Sequence, residues 1–218
     1  MKTIPVTKTF ENSRVLDVPA LELERGKIYA LIGANGSGKS TFARILAGVL
    51  PADRSGRPLE ESVRVGYMPQ KSFAFRMSVV KNVCLTGGSR ERAMELLHAL
   101  GIGHLAERKA GRLSGGETAR MALARIAMMP YDLVILDEPT ASMDVESTLL
   151  AEDMMRRIVS ESGCALLLVT HSLQQARRVA DEALYLQKGR LLESGPAAQL
   201  LYAPAKEGTQ RFLQFYGI

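Results

Sequence analysis

The stretch Gly33-Ala34-Asn35-Gly36-Ser37-Gly38-Lys39-Ser40 decides how this chain is read. Its spacing is G-x-x-x-x-G-K-[ST], that of a loop which holds phosphate groups. The apolar run Ile28-Tyr29-Ala30-Leu31-Ile32 precedes it and reads as a buried strand. Thr41 to Ala47 follows with apolar residues at helical spacing. Strand, glycine loop and helix form the context that separates a phosphate loop from a chance glycine turn. Glycines let backbone N–H groups converge on phosphate oxygens with no Cβ in the way. The helix that starts there turns its positive dipole end toward the anion. Lys39 adds a charge for the outer phosphates, and the Ser40 hydroxyl is placed for Mg²⁺. The motif points to a nucleoside triphosphate and leaves the chemistry that follows open.

The chain has 218 residues, enough for one large domain with a real core. Hydrophobic residues make up 46% and charged residues 23%, ordinary for a globular protein. The net charge is +5, yet no lysine or arginine run marks a nucleic-acid patch, so no nucleic-acid partner is expected. Cys84 and Cys164 lie far apart without metal-ligand spacing, which favours a reducing compartment over a disulfide framework. No signal peptide is evident, and the longest apolar stretch, Ala165 to Val169, is far short of a membrane span. Action at a membrane would need other chains to supply the membrane part.

Outward from the loop, the first segment is β-rich: Ile4 to Lys8, Val15 to Val18, and Leu21 and Leu23 alternating with Glu22 and Glu24. Pro51 to Pro58 reads as a surface loop, and Val63 to Met68 as a short strand. Residues 71–130 form a helical insertion, with helices expected over Ser78 to Leu85, over Arg90 to Leu100 and from Ser114, its body over Thr118 to Met128. Leu133 to Leu136 and Ala165 to Val169 read as buried strands, each followed by a helix (Val145 to Ser160, Leu173 to Ala180). Ala183 to Leu186 and Arg190 to Glu193 flank a Lys188-Gly189 turn, as in a hairpin. The tail offers two helices, Ala197 to Tyr202 and Glu207 to Phe215. Alternating strands and helices predict an α/β fold with a mostly parallel sheet, an N-terminal antiparallel β subdomain and the helical insertion. One domain spans 1–218, with its core in 1–70 and 131–218 and a helical subdomain in 71–130.

Leu133-Val134-Ile135-Leu136-Asp137-Glu138 is an apolar strand that ends in two acids. Such a strand is expected beside the loop strand with its end at the phosphates, where Asp137 holds Mg²⁺. Glu138 can then orient or deprotonate an attacking water. Ser114 and Glu117 have capping-box spacing ahead of a helix, and a plain cap explains them. The double glycine Gly115-Gly116 goes beyond a cap and would open a second N–H-rich cradle. His171 follows the strand Ala165 to Thr170, at the carboxyl edge where open α/β sheets bind ligands. A lone histidine there is more often structural. Gln70 also ends a strand, where an ordinary turn residue would serve as well.

Taken together, these motifs resemble those of the ATP-binding cassette family, the nucleotide-binding subunits of ABC transporters, along essentially the whole chain. Gly33 to Ser40 resembles Walker A, Leu133 to Glu138 Walker B, and Leu113 to Glu117 the family signature. Gln70, Ser142-Met143-Asp144 and His171 resemble the glutamine loop, the D-loop and the switch histidine. Phe10 stands where the family places an aromatic, more often Tyr, that stacks on adenine. The resemblance implies ATP and Mg²⁺ as cofactors. It implies catalytic roles for Glu138, His171 and Gln70, with Ser40, Gln70 and Asp137 at the metal. The nucleotide falls to Phe10, Gly33, Asn35, Gly36, Ser37, Gly38, Lys39, Ser40, Thr41, Ser114, Gly115, Gly116 and Asp144. Glu117 replaces the usual Gln and Met143 the usual Leu; neither removes a phosphate ligand.

The resemblance further implies two cassettes paired head to tail, as a homodimer or pseudo-dimer, with two ATP molecules between them. Each ATP touches Walker A of one subunit and Ser114-Gly115-Gly116 of the other. Membrane permease subunits would dock near Gln70 and the helical insertion, leaving the chain peripheral on the cytoplasmic face of the membrane. A solute-binding protein would complete the system. The leading expectation is the ATPase of an importer, since Gln174 to Asp181 and Gly195 to Phe212 resemble small-solute importer cassettes. The separate ATPase of an exporter and a soluble ABC ATPase in assembly or regulation stand as alternatives.

Overall fold

A strand that is apolar at every position must be covered on both faces. Ile28–Ile32 (β3) meets that condition in the computed structural model, with all five residues buried. The structure describes residues 1–54 and 57–216. The Pro51-to-Pro58 loop of the sequence reading therefore lies partly outside the described residues. The other strands are Val6–Phe10 (β1), Ser13–Val18 (β2), Val65–Met68 (β4), Leu133–Asp137 (β5), Ala165–Val169 (β6), Glu182–Gln187 (β7) and Arg190–Pro196 (β8). The helices are Lys39–Leu46 (α1), Val79–Val83 (α2), Arg90–Ala99 (α3), Gly115–Ala127 (α4), Val145–Ser162 (α5), Leu173–Val179 (α6), Ala197–Tyr202 (α7) and Glu207–Phe215 (α8). No helix among the described residues is long and apolar enough to cross a membrane.

The described strands form one sheet in the order β1-β2-β8-β7-β3-β6-β5-β4. From β7 to β4 every neighbour is parallel. The β1–β2 and β7–β8 pairs are antiparallel. The N-terminal hairpin joins the rest through the single parallel pair Asp17↔Arg190. The predicted α/β class, parallel core and N-terminal antiparallel element are all present. The order corrects one expectation: β5 does not lie beside β3, because β6 runs between them, pairing Leu31↔Val169 on one side and Asp137↔Val169 on the other. The strand that carries His171 at its end thus sits between the loop strand and the Asp137 strand.

Alternation within the buried strands sorts the core onto two sheet faces. Tyr29, Leu31, Ile135 and Leu167 pack with Phe42, Ile45 and Leu46 of α1. Val134, Leu136, Leu166 and Leu168 face α2 to α5 through Val83, Leu96, Leu97, Leu123 and Met155. Ala30, Ile32 and Tyr185 meet α6, α7 and α8 through Ala176, Leu200 and Phe212. Burial of this kind contributes roughly 25 cal/mol per Å² of apolar surface and dominates the stability of the fold.

Several boundaries move for local reasons. The first strand begins at Val6 rather than Ile4, since Pro5 has no N–H for the ladder. Leu21 to Glu24 forms no strand beyond the isolated Lys2↔Glu22 bridge; Leu23 is buried, and the pairing is confined to Met1 to Thr3, through Thr3 N–H to the Leu21 carbonyl and Leu23 N–H to the Met1 carbonyl, both 2.8 Å. The helix expected over Ser78 to Leu85 is α2 followed by a 3₁₀ turn, Cys84–Thr86, that ends at Gly87 (φ +113). The loop helix starts at Lys39, not Thr41.

Candidate functional site

The loop after β3 turns through left-handed backbone at Gly36 (φ +76) and Gly38 (φ +102), which glycine adopts without a Cβ clash. A Cβ on Gly38 would also come within 2.7 Å of the Leu16 side chain. Gly33 and Ser37 support the loop from below. A Cβ on Gly33 would run into the Leu186 carbonyl, and the Ser37 hydroxyl is buried without a hydrogen-bond partner. Lys39 is only 6% exposed, and its amine donates to the carbonyls of Gly33 (2.8 Å) and Ala34 (2.9 Å). Burial pulls its pKa below the usual lysine range, against the opposing charges of Glu138 and Asp137.

The end of β5 faces α1 directly. Asp137 is fully buried and accepts hydrogen bonds from Ser40 Oγ at 3.0 Å and Tyr67 Oη at 3.4 Å. Burial raises its carboxyl above the usual range, while the Ser40 hydrogen bond works in the other direction. The next residue, Glu138, sits at φ +48, unusual for a residue with a side chain and worth about 1–2 kcal/mol of backbone strain. Its N–H is tied to the Val169 carbonyl at 2.9 Å. That kink brings the Glu138 carboxylate between the ends of β4 and β6. Oε2 accepts from Gln70 Nε2 at 2.9 Å and lies 3.3 Å from His171 Nδ1.

These groups border one cavity of about 640 Å³. Its walls are Asn35, Gly36 and Gly38 to Thr41 from the loop, Gln70, Glu138 and His171 from the strand ends, and Phe10, Val15 and Tyr216. Residues named from five separate stretches of sequence thus line one cavity at the carboxyl edge of the parallel strands, where open α/β sheets bind ligands.

Ser114 to Gly116 and Asp144 border none of this cavity and gather elsewhere on the molecule. Ser114 caps α4 in a full capping box: its Oγ accepts from the Glu117 N–H at 3.3 Å, and Glu117 Oε2 accepts from the Ser114 N–H at 2.7 Å. That backbone N–H holds the Glu117 carboxyl below its usual range. Asp144 caps α5 by accepting from the Ser147 N–H at 2.8 Å. The pair Gly115-Gly116 has a packing reason. A Cβ on Gly116 would stand 2.7 Å from the Ser142 carbonyl oxygen, whereas one on Gly115 would find ordinary contact at 3.5 Å. Close approach to the segment before α5 therefore gives Gly116 a packing reason of its own.

Three participants escaped the sequence reading. Val15 and Tyr216 line the cavity from β2 and from beyond α8, and only three-dimensional proximity places them there. The third is a buried network behind the site. Gln175 donates to Thr140 Oγ1 (3.0 Å) and to Glu152 (3.3 Å), and Arg178 grips Glu152 through two hydrogen bonds of 2.7 and 2.8 Å. Glu152 and Gln175 were one buried acid and one buried amide on helices that otherwise show an ordinary amphipathic pattern.

Fold and site together define a phosphate-loop nucleotide-binding protein whose sheet carries an acidic strand end opposite the loop. A family model described as ABC transporter matches residues 16–141, and the chain belongs to that family: it is an ATP-binding ATPase subunit. The chain is 37% identical over 201 residues to the tungstate uptake system ATP-binding protein TupC of Peptoclostridium acidaminophilum, covering 86% of this chain and 94% of the relative. It is 36% identical over 183 residues to the zinc import ATP-binding protein ZnuC of Vibrio vulnificus, covering 82% of this chain and 70% of the relative. Among solved structures, the ATP-binding subunit of an ABC transporter superposes with a TM-score of 0.82 at 20% identity, over 99% of this chain and 98% of that one. A dimeric ATP-binding cassette in a post-hydrolysis state with ADP and Pi superposes with a TM-score of 0.78 at 23% identity, over 90% and 98%. These structures share the fold.

Proposed function

We propose that this chain hydrolyses ATP to drive uptake of an inorganic ion through a separate membrane permease. The observation that carries the hydrolytic reading is the Glu138 carboxylate, held by Gln70 and faced by His171 one residue beyond the buried Asp137. In this reading the Glu138 carboxylate takes a proton from the water that attacks the γ-phosphorus, the bond to the β–γ bridging oxygen breaks, and ADP and phosphate leave. Gln70 and His171 position Glu138 Oε2 and the water. Lys39 exchanges its contacts with the Gly33 and Ala34 carbonyls for phosphate oxygens.

Ser40 Oγ and the Asp137 carboxylate, 3.0 Å apart, offer hard oxygen donors that suit Mg²⁺. Among the described residues no cluster of three or more His, Cys, Asp or Glu is set to hold a metal by itself. That fits an ion shared with phosphate oxygens and water, with Gln70 at its edge. When bound, Mg²⁺ neutralises charge on the outer phosphates.

Ser114, Gly115, Gly116 and Asp144 lie off the cavity, which suits a role toward the nucleotide of a second, head-to-tail cassette. Residues 71–130 would act as the helical subdomain that receives the permease. Phe73 (68% exposed) and Phe75 (48% exposed) lie just after Gln70 and offer it an apolar footing. The chain would then sit peripherally at the cytoplasmic face of the membrane, with a solute-binding protein supplying the ion. The importer reading rests on the relatives named for tungstate uptake and zinc import. The test is cellular uptake of labelled zinc and tungstate in a strain deleted for this chain. A deficit in one ion, restored by the wild-type chain and not by Glu138→Gln, supports the proposal. Unchanged uptake of both contradicts the choice of ion.

A further inference from the structure

The cavity presents two aromatic rings, not one. Phe10 comes from the end of β1, and Tyr216 from the turn that follows α8. The remaining walls are the phosphate loop, three polar strand-end residues and Val15, so these rings are its only aromatic surfaces among the described residues. Tyr216 is placed by a chain of ring contacts that begins in the sheet. Tyr185 of β7 pairs with Ile32, the last residue before the phosphate loop. Phe212 of α8 stacks on Tyr185 with centroids 4.7 Å apart, and Tyr216 packs against Phe212 at 4.8 Å. The Tyr216 N–H also donates to the carbonyls of Phe212 (3.2 Å) and Leu213 (3.1 Å). Phe212 is 9% exposed whereas Tyr216, which also meets Phe215 edge to face at 5.2 Å, is 43% exposed, so the first ring anchors α8 and the second keeps exposed surface at the cavity. Exposed aromatic surface beside a triphosphate-binding loop suits a purine, because aromatic stacking on a base needs no hydrogen-bond readout.

We infer that Tyr216 is a second base-binding residue, contributing its ring to the adenine of the bound nucleotide alongside Phe10. The inference rests on the nucleotide reading of the cavity. It makes the C-terminal helix part of the nucleotide site, carried there by the Tyr185–Phe212–Tyr216 stack.

The test is calorimetric titration of the full chain with ATP and, separately, with inorganic tripolyphosphate, which shares the phosphate contacts and lacks the base. Tyr216→Ala should lower ATP affinity about five- to tenfold, leave tripolyphosphate affinity unchanged, and leave the melting transition of the nucleotide-free protein in place. Tyr216→Phe should bind ATP as the wild type does. Phe10→Ala reports on base binding independently, and Lys39→Ala on the phosphate site. If Phe10→Ala weakens ATP selectively while Tyr216→Ala changes it by less than about twofold, Tyr216 is a bystander and the inference is overturned. Equal loss of ATP and tripolyphosphate in Tyr216→Ala also overturns it, since the ring would then support the loop rather than the base. If Phe10→Ala and Lys39→Ala both leave ATP affinity intact, the nucleotide reading of the cavity fails and this inference with it.

Discussion

Asp137 and Lys39 are buried charges that weigh on the nucleotide-free fold. Burial raises the Asp137 carboxyl above its ordinary value of 3.8, so the native state holds that proton more readily than the unfolded chain. Stability therefore falls as pH rises from the unfolded carboxyl range through the raised native value. Asp137→Asn keeps an acceptor for Ser40 and removes the charge. Melting curves of nucleotide-free protein should put this mutant above the wild type at pH 7, with the gap closing as pH drops below the ordinary carboxyl range. A mutant that melts lower at pH 7 would count against the sign. Lys39 is perturbed in the opposite direction by the same burial. Lys39→Ala should weaken ATP binding roughly 10- to 100-fold, the effect of losing one charged hydrogen-bond partner. Calorimetry with unchanged ATP affinity would remove Lys39 from the phosphate site.

At the scale of elements, the two adjacent glycines at the start of α4 separate packing from function. Gly116 faces the Ser142 carbonyl with no room for a Cβ, and Gly115 has ordinary space. Gly116→Ala should destabilise the fold by about 1–3 kcal/mol through a forced shift of α4 or of the segment before α5. Gly115→Ala should lie within about 0.5–1 kcal/mol of the wild type. Denaturant midpoints decide between these, and equal effects would contradict the assigned clearance. The same region shows where sequence reading succeeds and where it stops. β3, β6, α7 and α8 are legible to the residue: the two strands are continuous apolar runs, and the two helices are separated by Ala203-Pro204, where proline ends the helical pattern. The capping box of Ser114 and Glu117 was readable because its partners are three residues apart. The insertion of β6 between β3 and β5 was not, because strand order is a property of crossovers and leaves no local mark. Nor was Tyr216, which is carried to the cavity by Phe212 docking on Tyr185 of β7, nor the need for glycine at 116, which arises from a loop met in space.

At the scale of the whole molecule, two groups of residues lie apart: the cavity group around Lys39 and Glu138, and the Ser114–Gly116 and Asp144 group at the starts of α4 and α5. A head-to-tail pair of chains would bring one group of each subunit against the other group of its partner. Ser114→Arg should then block ATP-dependent dimers while each subunit still folds. Mixing it with Lys39→Ala should restore some dimers, because one composite site stays intact in the mixed pair. Gel filtration with no recovery, alongside normal melting of both mutants, would reduce Ser114 to a helix cap worth about 1 kcal/mol.

In the proposed reaction Glu138, bent into the cavity by its left-handed backbone and held by Gln70 beside His171, is the base for ATP hydrolysis. Steady-state phosphate release by purified Glu138→Gln, run beside ATP affinity on the same sample, tests it most directly. An amide has nearly the same shape and no basicity. Turnover should fall by about 10²–10⁴-fold while ATP affinity stays near wild type, with ATP-bound dimers accumulating. Hydrolysis by the mutant at the wild-type rate would contradict it.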